Sequence, residues 1–108
     1  MYELTKHEEF ILLSVCKLIG NAYIVTIRKE ISELTGKSIN YGSLCNTLYS
    51  LVRKGYIRSQ ESEPQAQQGG RRKVMYHLTT QGKKALQHTY EIQKHAWDGV
   101  KGTIMGVD

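Results

Sequence analysis

The chain has 108 residues, of which 40% are hydrophobic and 23% charged, enough for one globular domain with a modest core and too few for two. The longest apolar run, Phe10 to Leu13, is broken by Ser14, which excludes a membrane span. Two distant cysteines, Cys16 and Cys45, exclude a disulfide scaffold or CxxC redox site, and 15 basic against 10 acidic residues leave a net charge of +5.

Thr5 and Glu8 form the pattern of a capping box at the start of a first helix. Ile11, Val15, Leu18 and Ile19 then share one helical face, and Gly20-Asn21 ends the helix. A second helix carries Ile24, Ile27, Ile31 and Leu34 in phase and closes at Gly36. Asn40 is the expected N-cap of a third helix, with Leu44, Leu48 and Leu51 as a narrow buried stripe. Gly55 occupies the place of a left-handed cap. The period then changes. Tyr56 to Ser59 reads as a short strand, and residues 61–70 as an exposed turn region with Pro64 and Gly69-Gly70. Lys73 to Leu78 alternates, with Val74, Tyr76 and Leu78 on one side and Met75 and His77 on the other. The two strands are expected to pair as a hairpin. Thr79 caps a fourth helix, with Leu86, Tyr90 and Trp97 on one face and Ala85, Ile92 and Ala96 beside it. Gly99, Gly102 and Gly106 predict a fraying tail.

The resulting fold class is mainly α with a small β-hairpin, a winged helix-turn-helix followed by a C-terminal helix. The expected organisation is a winged helix over residues 1–79, a dimerisation helix over 80–98 and a flexible tail over 99–108. The charge is concentrated in the middle. From Thr35 to Tyr90, Lys37, Arg53, Lys54, Arg58, Arg71, Arg72, Lys73, Lys83 and Lys84 face only Glu61 and Glu63, a net of +7. A basic centre between nearly neutral ends suggests a surface that meets a polyanion, against the alternative of a merely solvated face.

Three segments resemble the PadR family of bacterial transcriptional regulators. They are Glu9 to Leu13 with Tyr23 and Ile27; Gly42-Ser43-Leu44 through Thr47-Leu48-Tyr49 to Gly55-Tyr56-Ile57; and Gly69 to Lys73 through Tyr76 to Thr79 and Gly82. They span roughly residues 8–97 in the family's order. Many members carry an aromatic or His at the position of Cys45, Arg at Ser50 and an acidic residue at Val52. The resemblance implies a repressor that acts as a homodimer, with the last helix as the main dimer contact and the first helix supporting it.

The leucine stripe leaves Ser43, Asn46, Thr47 and Ser50 pointing elsewhere, with Tyr41 in the first turn. Asn pairs with adenine, and Ser and Thr serve as donors or acceptors, so these residues suit a reading face for double-stranded DNA. The free N–H groups around Gly42-Ser43 would suit a phosphate. The alternative is an ordinary polar face. Arg71, Arg72 and Lys73, with Arg58 opposite, would hold phosphates from the wing, or simply form a solvated hairpin. Lys37, Arg53 and Lys54 are weaker candidates.

Tyr90 and Trp97 lie seven residues apart with Ile92 nearby, the pattern of a dimer seam. The resemblance adds a second use for that stripe, because some short relatives bind flat aromatic molecules between protomers, and it thereby admits a planar small-molecule effector. Tyr23, Tyr49, Tyr56 and Tyr76 are expected in packing roles. No enzyme is expected: Cys16 lies on an apolar helix and reads as inert core, no Cys–His pair is set by spacing, and Gly69-Gly70 lacks a P-loop context. His7, His77, His88 and His95 read as surface or interface residues, so neither a metal nor a cofactor is expected. The N-terminal residues lack a secretory pattern, and a reduced cytoplasmic location is expected. The remaining readings are a winged-helix module for protein partners and a small-ligand-binding protein without DNA readout.

Overall fold

The computed structural model describes residues 3–61 and 73–106. Within them the order is α1 (Lys6–Lys17), α2 (Ile24–Thr35), α3 (Tyr41–Arg53), β1 (Ile57–Glu61), β2 (Val74–Leu78), α4 (Thr80–Asp98) and α5 (Lys101–Met105). The turn expected between the strands falls almost wholly outside the described residues.

α1 starts where the capping box places it. Glu8 N donates to Thr5 Oγ1 at 3.0 Å, and Thr5 N donates to Glu8 Oε1 at 2.9 Å. The helix unwinds at Leu18, where the backbone leaves helical geometry, and Gly20 follows in the left-handed region at φ 81°. The helical phase is lost there. Leu18 still packs on the core, but Ile19, expected on the buried face, stands 83% exposed. α2 begins with the Thr26 hydroxyl accepting from Tyr23 N at 3.0 Å and donating back to Asn21 O at 2.6 Å. Ile27 and Ile31 are buried. Leu34, in the last turn, points out of the core instead of continuing the stripe.

α3 is fixed at both ends. Asn40 Oδ1 accepts from Ser43 N at 3.1 Å. At the other end Gly55 takes φ 81°, its N–H donates to Val52 O, and Tyr56 N donates to Leu51 O. This is a Schellman closure, with buried Tyr56 supplying its apolar contact. Leu44, Leu48 and Leu51 are all essentially inaccessible and join Ile11, Leu12, Val15, Ile27 and Ile31 in the core.

The hairpin pairs antiparallel, with Ile57 opposite Leu78 and Ser59 opposite Tyr76. One face therefore meets the core through Ile57, Tyr76 and Leu78, while Arg58 and His77 share the other. Tyr76 N also donates to Ala22 O at 2.8 Å, which ties β2 to the α1–α2 connection. Thr79 then turns the chain into α4. Its N–H donates to Tyr56 O, its hydroxyl donates to Gly55 O at 2.6 Å, and it accepts from Gly82 N at 3.0 Å. Gly82 presses so closely on this junction that a Cβ there would lie 2.1 Å from Tyr56 O.

Three polar links lash α1 to its neighbours. Glu8 pairs with Lys54 at 2.6 Å, Lys17 with Glu30 at 2.9 Å, and Gln93 Nε2 donates to Glu9 Oε1 at 3.0 Å. α4 is different from the other helices. Its buried residues, Gly82, Ala85 and Thr89, all lie in its first half, and beyond the Gln93–Glu9 bond the described side chains are exposed. The molecule measures 58 × 29 × 22 Å, with a radius of gyration of 16.2 Å. A rounded domain of this length would have about 13 Å. The tail expected to fray instead contains the one-turn helix α5, closed by Gly106 at φ 70°.

Candidate nucleic-acid interface

Helical geometry advances about 100° per residue. With Leu44, Leu48 and Leu51 buried, the opposite side of α3 belongs to Asn46, Tyr49 and Arg53, all exposed. Ser43 is exposed on one flank, with Thr47 and Ser50 half-buried below it. Tyr41 is exposed at the start of the helix. The structure thus brings all five helical candidates to the solvent side or its margin. Two details refine their chemistry. Thr47 Oγ1 donates to Ser43 O at 2.9 Å, so its methyl group and lone pairs are what it can offer a base. Ser43 N is already taken by Asn40, which reduces the anion-binding capacity expected of that helix start.

Tyr49 does not pack. It is 66% exposed, and the Arg53 guanidinium lies 5.9 Å from its ring centroid. Such a cation–ring contact restrains both side chains. The place of Tyr49 on the exposed side of α3 is one that an expectation based on residue type alone misses. Its angular offset from the leucines was the available signal. Tyr56 is buried, and Tyr23 and Tyr76 are half-buried as expected. Burial pushes the Tyr76 phenol above its ordinary pKa, so it stays protonated at neutral pH. Arg28 Nε donates to Ile39 O at 3.0 Å and pins the turn that leads into α3.

Of the basic cluster, Arg71 and Arg72 lie outside the described residues. Lys73 is half-buried, with its ammonium 4.3 Å from the centroid of the Tyr23 ring at the start of α2. Tyr23 thereby becomes a platform that holds a wing cation beside the helix-turn-helix unit. Lys54 is drawn away from any such surface by its bond to Glu8. Arg58 is exposed on the outer hairpin face.

At the far end of the molecule, Tyr90 (61% exposed) and Trp97 (44% exposed) line a groove of about 400 Å³ with Gln93, Lys94, Asp98, Lys101 and Met105. Ile92 is exposed but does not line that groove, because two residues along a helix turn it to another side. Val100, Ile104 and Met105 add exposed apolar surface next to the groove. The glycines around them hid this contribution in the sequence. Among the described residues, no three His, Cys, Asp or Glu side chains gather as a metal-binding group. No described helix is long and apolar enough to cross a membrane.

No curated protein sequence matches the chain significantly. Solved structures do. A transcriptional regulator of Thermoplasma acidophilum superposes with a TM-score of 0.70 at 23% identity, over 94% of this chain and 96% of that one. A PadR family regulator of Eggerthella lenta gives 0.67 at 20% identity, over 94% and 86%. A PadR family transcription regulator of Clostridium difficile gives 0.60 at 30% identity, over 91% of this chain and 95% of its own. The family model described as transcriptional regulator PadR-like matches residues 12–88, from the core of α1 through the hairpin into α4. The chain therefore belongs to the PadR-like family of transcriptional regulators.

Proposed function

We propose that the protein binds duplex DNA as a homodimer and represses transcription in the cytoplasm. The observation that carries this reading is the α3 surface: a row of exposed polar and aromatic side chains opposite a fully buried leucine stripe. In this reading α3 enters a major groove. Tyr41, Ser43, Asn46, Thr47, Ser50 and the additional Tyr49 face the bases, with Asn46 suited to adenine. Arg71, Arg72 and Lys73 hold phosphates, Lys73 from its seat on Tyr23. Two copies would join through Tyr90, Ile92 and Trp97, with their α3 helices about one turn of DNA (~34 Å) apart. The groove between Tyr90 and Trp97 favours one second reading, a planar effector stacked at that seam.

Binding to fragments of the protein's own upstream region, titrated across salt against an unrelated duplex, tests the proposal. The upstream fragment is expected to bind ~10³-fold tighter, with affinity falling steeply as salt rises. Replacing Arg71, Arg72 and Lys73 by Ala should weaken both duplexes about equally, whereas Asn46→Ala should erode the preference itself. No preference and a flat salt response would overturn the DNA reading and favour a protein-interaction or ligand-binding module.

A further inference from the structure

A second groove, of about 240 Å³, opens where the end of α1, the hairpin and the start of α4 converge. Ile19 and the half-buried Leu78 and Tyr76 give it apolar walls over the buried Val15, Arg58 and Lys83 are its cationic residues, and His77 lines it too. Cys16, expected in the core, follows the buried Val15 onto the outer side of α1, where it is exposed and also lines the groove. The lining contains no carboxylate. The grooves on the outer side of α2 and between α4 and α5 differ here, with Glu33 in one and Asp98 in the other. Neither Arg58 nor Lys83 forms an ion pair with an acidic residue among the described residues. Arg58 stands on the hairpin face opposite the one that enters the core, so its charge is not consumed by packing.

An apolar trough bordered by two cations and no acid has a definite complement. A simple phosphate or sulfate would satisfy the cations and leave Ile19 and Leu78 wet. An uncharged hydrocarbon would do the reverse. We propose that this groove binds a small amphiphilic carboxylate, its head held by Arg58 and Lys83 and its short aliphatic body laid along Ile19 and Leu78. The volume lies below the ~300–1,000 Å³ of sites for drug-sized ligands, so the body is short, on the order of eight carbons. For so few atoms in a partly open groove the expected Kd is on the order of 0.1–1 mM. The site shares no lining residue with the Tyr90–Trp97 groove and does not depend on the α3 surface reading DNA. It spans three elements, so an occupant would link the hairpin to the root of α4.

Cys16 supplies the test, because a ligand in the groove must shield its thiol. The intact protein is alkylated with iodoacetamide, an uncharged reagent, with and without octanoate, and modification of each cysteine is followed by peptide mass spectrometry. Octanoate at about ten times Kd should slow alkylation of Cys16 roughly five- to tenfold and leave Cys45 unchanged. Octanol and sulfate at equal concentration should protect far less. In the Arg58→Ala/Lys83→Ala variant the protection should vanish. Both residues are exposed, and an unchanged thermal melt would verify that the variant is folded. The proposal is overturned if octanoate gives no protection, if octanol protects equally, or if protection survives in the variant. Protection of Cys16 by a DNA duplex and not by octanoate would also overturn it, and would assign the two cations to the phosphate backbone.

Discussion

Gly82 shows how a single position decides whether the hairpin and α4 can share one junction. A methyl group there would meet Tyr56 O at 2.1 Å and Leu78 Cδ1 at 2.7 Å, and the carbonyl is held by Thr79 N. Helix propensity alone favours Ala over Gly by about 1 kcal/mol. Steric conflict with fixed backbone outweighs that gain, so Gly82→Ala should destabilise by about 2 kcal/mol, a fall in Tm of roughly 10 °C. A higher Tm in the variant would show that the junction gives way. Glu8 poses an electrostatic question at the same scale. Its burial opposes ionisation, but the Lys54 ammonium, the Thr5 backbone N–H and the Thr5 hydroxyl outweigh it and hold the carboxyl below its ordinary pKa. The stability this contributes is complete above the unfolded value of 4.5 and is lost as pH falls through the lower folded value. Lys54→Met should therefore cost about 1–2 kcal/mol at pH 7, since the Lys54 side chain is itself partly exposed. Urea unfolding at pH 7 and pH 3 should show the gap between the two proteins narrowing in acid. A gap of equal size at both pH values would mean that the pair contributes packing and no charge interaction.

The elements were legible in the sequence where two independent signals coincide. α3 has a capping asparagine, three leucines in phase and a glycine stop, and the structure uses all of them. The hairpin was readable from alternation and from the Gly and Thr positions around it. Single signals failed. Ile19 continues the apolar count of α1, but the helix has already unwound at Leu18, so hydrophobicity without helical geometry misplaces it. Leu34 fails in the same way, one turn beyond the last core contact of α2. α5 was hidden because glycine content argues for fraying, whereas Val100, Ile104 and Met105 sit between those glycines. The polar half of the candidate interface followed from knowing which residues α3 buries. Tyr49 was open to the same argument, four residues before Arg53 on the helix, but Tyr23 was not, because it looks like a packing residue until Lys73 is seen against its ring. Contacts between a ring and a distant cation leave no local spacing in the chain, and Lys73 is fifty residues from Tyr23.

For the molecule as a whole, the extended form is the decisive property. Nearly half of α4, the link after it and all of α5 bury nothing in the core, yet they carry Tyr90, Ile92, Trp97, Val100, Ile104 and Met105 on their surfaces. A helical arm with so many exposed apolar side chains is costly to leave in water. A second arm of the same kind would cover it, and a two-fold arrangement needs only one self-complementary face. Sedimentation equilibrium should accordingly give twice the mass of 12.3 kDa at micromolar concentration. Tyr90→Asp/Trp97→Asp places two charges in that face and should return the protein to a monomer. The core lies elsewhere, so the variant should keep its helix content, and a loss of helicity confined to the arm is the most that the geometry permits. Its DNA affinity should fall more than its fold is disturbed, by ~10²-fold or more, because each α3 would then have to find its half-site alone. A variant that remains dimeric would assign the contact to another surface. A monomeric variant with undiminished affinity for the upstream fragment would separate DNA binding from dimerisation and remove the need for two half-sites one turn apart.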